Sequence, residues 1–184
     1  MTYKEMQKKY LSLIEELNPL SDHLTDDPDI EAKQMEVVNQ IMFEVARQKK
    51  LPKYVEMPVT EGQIVEFSDI EDACGYEIFQ LNLVCGVRYT PKASGTVLKF
   101  KDSGIAEIDV YVYPERITEQ NANGYEFELT SDVLEIMPYG IAADLLKSDV
   151  SADYGSVYSA RYELMLQRLD PRHSLTSVYI EGGV

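Results

Sequence analysis

A change in hydrophobic periodicity divides this chain into three parts. Before residue 59 and after residue 129, apolar residues recur every three or four positions, which is the period of an amphipathic helix. Between those positions, short alternating runs rich in β-branched and aromatic residues are separated by Gly, Asp, Asn and Pro, a pattern typical of antiparallel strands. The fold must therefore combine helices from both ends of the sequence with a sheet from its middle.

This order predicts an α+β fold. We expect a first helical hairpin in residues 1–58 and a second in residues 130–170, packed together as a four-helix bundle. An antiparallel sheet or sandwich formed by residues 59–129 is expected to be inserted between the hairpins. Residues 171–184 form a tail, in which a last alternating run predicts a short C-terminal strand.

Capping residues and prolines predict where the helices begin and end. Thr2 and Glu5 have the spacing of a capping box. Asp27 precedes Pro28, a residue that suits the first position of a helix. Pro138 falls inside the third predicted helix, where we expect a kink or a restart because proline lacks the backbone donor.

The charge of the chain is strongly negative. With 32 acidic and 17 basic residues the formal net charge is −15, and the middle of the chain contributes most of the imbalance. Binding to a nucleic-acid backbone requires clustered Lys and Arg, so this composition disfavours a protein that grips phosphates. No apolar run approaches the ~20 residues of a membrane span, and the first residues lack the apolar centre of a secretory signal. We expect a protein made in the cytoplasm, with no membrane partner.

Reactive side chains are few and are not placed for catalysis. His23 and His173 lie apart in polar sequence, and neither belongs to a metal-binding pair. Cys74 and Cys85 are too few for a metal cage and lack the CxxC spacing. The adjacent carboxylates fall in solvated surroundings, and no glycine-rich phosphate loop is present. The sequence predicts no enzyme, no metal site and no cofactor.

Tyrosine is the unusual component of the composition, with 13 Tyr against 5 Phe and no Trp. Tyrosine is enriched in protein interfaces because it joins a large apolar ring to a polar tip. On the last predicted helix, Tyr154, Tyr158 and Tyr162 either fill a core or contact other copies. A different class of function, a carbohydrate-binding module, would use three tyrosines of the predicted sheet to stack sugars: Tyr76, Tyr111 and Tyr113.

Three stretches together resemble a known family. The stretch LEIMPYGIAADLLKSDVSADYGSVYSARYELMLQRLDPR looks like the C-terminal helical hairpin of head–tail adaptor (connector) proteins of tailed bacteriophages and prophages of Gram-positive bacteria. The preceding VYVYPERIT and the earlier VNQIMFEVARQKKLPKYV fit the same family in the expected order. The resemblance covers well over half of the chain.

The resemblance implies a non-catalytic structural protein of the virion neck. Adaptors of this family assemble as a homo-oligomeric ring, expected to be dodecameric, beneath the portal protein. The ring extends the DNA channel, lets genomic DNA pass without specific contacts, and connects to the next neck or tail protein. An alternative is a tail-completion or tail-terminator protein, which associates with the tail rather than with the portal.

The resemblance also assigns roles to residues. Subunit-interface candidates lie on the last helix: Tyr154, Tyr158, Arg161 and Tyr162. Portal-docking candidates lie in the C-terminal tail: Leu175, Val178, Tyr179 and Ile180. Glu126 and Glu128 are candidates for an acidic channel lining, since a negative lumen repels DNA phosphates.

Overall fold

The computed structural model describes residues 1–92, 95–148 and 153–169. Within these residues the chain forms five α-helices and six β-strands. The helices are α1 (Tyr3–Leu13), α2 (Pro28–Lys49), α3 (Phe67–Cys74), α4 (Ser131–Leu145) and α5 (Asp153–Arg168). The strands are β1 (Pro52–Val59), β2 (Ile64–Glu66), β3 (Ile78–Cys85), β4 (Tyr89–Lys92), β5 (Val97–Phe100) and β6 (Gly104–Val112). The predicted α+β class is confirmed.

Local capping starts the first two helices as predicted. The Thr2 hydroxyl accepts a hydrogen bond from the Glu5 amide at 3.2 Å, and the Glu5 carboxylate accepts one from the Thr2 amide at 2.8 Å. The Asp27 carboxylate accepts from two amides of the first turn of α2, and Pro28 occupies its first position. These contacts satisfy backbone donors that have no partner inside the helix.

Helix α4 lies at the centre of the helical part. Ten of its fifteen residues are buried, and it contacts α1, α2 and α5. A helix that is apolar on nearly all sides must be largely surrounded by other elements, because little of its surface is suited to water. The helix continues through Pro138 as far as Leu145 and does not restart at the proline.

The predicted four-helix bundle is wrong. In a bundle each helix turns one apolar stripe toward a shared axis, whereas here α4 is itself the core element around which α1, α2 and α5 are arranged. Residues of the segment 117–129, which belongs to neither hairpin, complete this core. A fifth helix, α3, lies among the strands, where the sequence had predicted strand structure only.

The strands form two three-stranded antiparallel sheets. The larger sheet has the order β1-β6-β3 and the smaller one the order β2-β5-β4. Both sheets and α3 contribute to a second apolar core, which includes Ile70, Phe100 and Ile108. Because β1 begins at Pro52, strand structure starts inside the segment that the sequence assigned to the first hairpin.

The helical and β parts are joined by contacts between α2 and the end of β6. The Tyr113 ring packs 4.9 Å from the Phe43 ring and 5.0 Å from the Phe79 ring, measured between centroids. The Arg47 guanidinium donates a hydrogen bond to the Tyr113 hydroxyl. Beyond this point, the buried Asn39 side chain pairs with both the amide and the carbonyl of Ile117, at 2.8 and 2.9 Å.

Candidate subunit interface

The outward side of α5 exposes large side chains in a continuous row. Tyr154 is 72% exposed, Val157 61% and Leu164 48%, and Arg161 between them is also exposed. Their spacing of three, four and three residues keeps them on one side of the helix. We call these four residues the α5 face. Tyrosine and arginine beside exposed aliphatic side chains make this face a candidate for contact with another protein.

Tyr162 anchors α5 to the core. Its side chain is 7% exposed, and its hydroxyl donates to a Glu44 carboxylate oxygen on α2 at 2.7 Å. Burial and this hydrogen bond raise the pKa of the Tyr162 hydroxyl well above its usual range. The ring lies against Gly140 of α4, where a Cβ atom would come within 2.8 Å of it. The structure thus places Tyr162 inside the protein and leaves the neighbouring α5 face outside.

Tyr158 and Arg161 connect α5 to its other neighbours. The Tyr158 hydroxyl donates to the Leu13 carbonyl at the end of α1. Its ring lies 6.4 Å from that of Tyr139 on α4, between centroids. The Arg161 guanidinium stacks over the Tyr139 ring at 4.3 Å, a cation–π contact that holds an exposed charge in a defined place.

A groove of about 630 Å³ opens between α1, α4 and α5, beside the α5 face. Its basic side chains are Lys8 and Lys9 on α1 and Arg161 on α5, against one acidic side chain, Glu135. Its apolar lining consists of Leu13, Leu17, Pro138, Tyr139 and Met165. We call it the basic groove. It places a local excess of positive charge on a chain whose net charge is −15.

The larger sheet has an open outer face with the opposite charge. Glu56 on β1 pairs in register with Glu107 on β6, and Tyr54 pairs with Asp109. The pKa of the Tyr54 hydroxyl is raised to about 12, chiefly because the hydroxyl donates to the Glu56 carboxylate, and the charges of Glu107 and Asp109 add to the shift. Exposed apolar side chains accompany these charges: Tyr54 at 55%, Leu83 at 40% and Ile105 at 59%. We call these six residues the acidic sheet face.

Glu126 and Glu128 are exposed residues that alternate with the buried Tyr125, Phe127 and Leu129. The Glu128 carboxylate accepts from the Tyr76 hydroxyl at 2.8 Å and lies 3.8 Å from the Lys53 ammonium. Glu126 is exposed, and its backbone forms an isolated bridge with Thr2. Both carboxylates are therefore at the surface, where they contribute to the negative potential of the protein.

The tyrosines proposed for sugar stacking are largely covered. Tyr111 is 4% exposed and Tyr113 7% exposed, and both rings pack against Phe79. The Lys53 ammonium lies over the Tyr76 ring, 4.0 Å from its centroid. A stacking platform needs an open ring face, and these rings do not provide one in this conformation.

Side chains that could bind a metal ion are not grouped in the described part of the chain. Among residues 1–92, 95–148 and 153–169, no group of His, Cys, Asp and Glu could hold a metal ion. His23 pairs with Glu31 at the surface, at 3.2 Å, and His173 lies outside the described residues. Cys74 is half-buried and Cys85 is exposed. No helix in these ranges is both long and apolar enough to cross a membrane.

Several surface residues were not singled out from the sequence. Val157 and Leu164 complete the α5 face, and their signal was their spacing relative to Tyr154. Lys8 and Lys9 could not be placed beside Arg161 without knowing how α1 and α5 pack. The tail candidates Leu175, Val178, Tyr179 and Ile180 lie outside the described residues.

Comparison with known proteins adds no assignment, because no protein-family model and no curated protein sequence matches the chain significantly.

Proposed function

We propose that this protein is a structural subunit of a head–tail adaptor ring in the neck of a tailed bacteriophage. The ring docks on the portal, extends the DNA channel and connects to the next neck or tail component. The observation that carries this proposal is the α5 face. The part of the sequence that resembles adaptors contains a helix whose outward side exposes Tyr154, Val157 and Leu164, side chains typical of protein interfaces.

The charge distribution is compatible with the same role. Passage of DNA through a ring requires that phosphates are not held, and a negative surface repels them. Glu126 and Glu128 are exposed and are our candidates for the channel lining. Their replacement by Gln is expected to slow genome ejection without changing the number of assembled particles.

Quantitative mass spectrometry of purified particles tests the proposal. The phage or induced prophage that encodes the chain is purified, and the copy number of the chain is measured relative to the portal protein. A ratio near one to one supports an adaptor ring on the portal. Absence of the chain from particles contradicts it.

Fractionation separates the adaptor from the tail-completion alternative. Tailless heads and free tails are prepared from assembly-defective lysates and analysed by the same method. An adaptor stays with the heads, because its binding partner is the portal. A tail-completion or terminator protein stays with the tails. The covered Tyr111 and Tyr113 rings do not favour a carbohydrate-binding module, and a glycan screen tests this alternative directly.

A further inference from the structure

We infer that neighbouring copies contact each other head to tail, with the acidic sheet face of one copy seated on the basic groove of the next. This inference rests on the proposed ring, and it assigns the ring contact to two surfaces, one of which, the basic groove, adjoins the α5 face and shares Arg161 with it. The occupant of the groove is thus a second copy of this chain, recognised by charge and by exposed apolar side chains.

The basic groove carries an excess of positive charge among the described residues. Within the described residues, no ion pair engages Lys8 or Lys9. Arg161 is held over Tyr139 and is also free of an ion pair there. On a chain of net charge −15, a groove with three cations and one carboxylate attracts an acidic surface.

The acidic sheet face carries an excess of negative charge. Glu56 and Glu107 are directly opposite each other on neighbouring antiparallel strands, and like charges in this arrangement destabilise a sheet. Within the described residues, no ion pair engages Glu56, Glu107 or Asp109. A second copy that brings Lys8, Lys9 and Arg161 against these carboxylates would remove the repulsion.

Apolar complementarity accompanies the charge. Ile105 and Leu83 stand exposed among the carboxylates of the sheet face. The basic groove offers an apolar lining, including Leu13 and Met165, between its charged side chains. Burial of apolar side chains at the centre with charges around them is the usual composition of a protein–protein interface.

The use of two different surfaces determines the symmetry of the assembly. A contact between unlike surfaces leaves one of each free on every dimer, so that further copies are added until a ring closes or a filament grows. A contact between like surfaces ends at a dimer. The inferred contact is heterologous, meaning that it joins two unlike surfaces, and this is the type of contact that a ring of more than two copies requires.

Cysteine cross-linking tests this contact. Cys85 is naturally exposed, and its register partner is Glu107. A second cysteine is introduced into the basic groove by Ser12→Cys, and Cys74→Ser removes the other native thiol. The variant is treated with a short bismaleimide cross-linker, both as concentrated purified protein and in particles. We expect linked species that extend beyond the dimer.

Three controls define the result. Cys85→Ser in the same background should remove every linked species, whereas dimers that persist would indicate contact between like surfaces and overturn the inference. Ala32→Cys in place of Ser12→Cys puts a thiol at an exposed position of α2 outside the groove and should give no extended species. Lys9→Glu and Glu107→Lys should each abolish the linked species, and the combination of the two should restore them.

The outcomes for this contact and for the proposed function can be distinguished. If the chain is present in particles at the portal ratio but gives no linked species, the head-to-tail contact is refuted while the adaptor function stands. If the chain is absent from particles but purified protein gives extended species, the contact stands while the adaptor function is refuted. Absence of both refutes both.

Discussion

The contact between Gly140 and Tyr162 predicts a substitution whose effect on stability changes sign with its background. Gly140 lies in the interior of α4, where replacing glycine by alanine usually stabilises a helix by about 1 kcal/mol. Here the added Cβ atom would lie 2.8–3.0 Å from three atoms of the Tyr162 ring. Overpacking of this kind costs about 1–3 kcal/mol.

Displacing the Tyr162 ring from the added Cβ atom is unfavourable, because the ring is buried and its hydroxyl donates a hydrogen bond to Glu44. Combining the two effects, Gly140→Ala should lower the free energy of unfolding by about 0–2 kcal/mol. In a Tyr162→Ala background the clash is absent, and the same substitution should raise the free energy of unfolding by about 1 kcal/mol. The coupling between the two sites is then about 1–3 kcal/mol.

Urea denaturation followed by circular dichroism measures all four variants of this cycle. Tyr162→Phe is the matched control, because it keeps the ring and removes only the hydroxyl. In that background Gly140→Ala should remain neutral or destabilising. Stabilisation by about 1 kcal/mol in the otherwise unchanged protein would refute the reasoning, since the ring would then yield to the methyl group without cost.

Two further predictions concern contacts that tie the parts of the fold together. The Asp132 carboxylate accepts a hydrogen bond from the Lys49 ammonium at 2.6 Å, which lowers the Asp132 pKa from 3.8 to about 2. The contribution of this contact to the free energy of unfolding is therefore complete above pH about 4 and is lost as the pH falls through about 2. Because Asp132 is half-exposed, Asp132→Asn should lower the free energy of unfolding by less than about 1 kcal/mol at pH 7. Urea titrations at several pH values should show the difference between the two proteins vanish as the pH falls to about 2 and below, and a difference that persists there would contradict the assignment. Asn39→Ala leaves the buried amide and carbonyl of Ile117 without their side-chain partner. Thermal and urea unfolding should therefore show the free energy of unfolding fall by about 2–4 kcal/mol. A fall below about 1 kcal/mol would mean that water replaces the side chain.

Features that depend on neighbouring residues were accessible from the sequence. The capping residues Thr2 and Asp27 act within a few positions of themselves, so their spacing was sufficient to locate two helix starts. Helix α3 was missed because the run before it alternates like a strand. Its signal was local as well: the Asp69 carboxylate accepts from the Glu66 amide three residues earlier, at 2.8 Å.

The role of the α5 tyrosines required the tertiary structure. Tyr154, Tyr158 and Tyr162 are each four residues apart, and a helix with 3.6 residues per turn rotates such a row by roughly 40° at each step. The row consequently turns from solvent at Tyr154 to the core at Tyr162. The central position of α4 was missed for a related reason: its spacing was interpreted as one apolar stripe, although nearly all of its sides are apolar.

The two apolar cores differ in how much of the chain must be synthesised before each of them can form. The core of the β part is drawn from a continuous run, between Leu51 and Val112. The helical core joins α1 and α2 to α4 and α5. A hydrogen bond from the Tyr3 amide to the Tyr125 carbonyl likewise connects residues far apart in the sequence. During translation we therefore expect the β part to fold first. Helices α1 and α2 must wait, with their apolar sides uncovered, until α4 leaves the ribosome. A chain interrupted before Ser131 would keep a folded β part and two unpaired helices, which makes it a substrate for chaperones and proteases rather than a smaller working subunit.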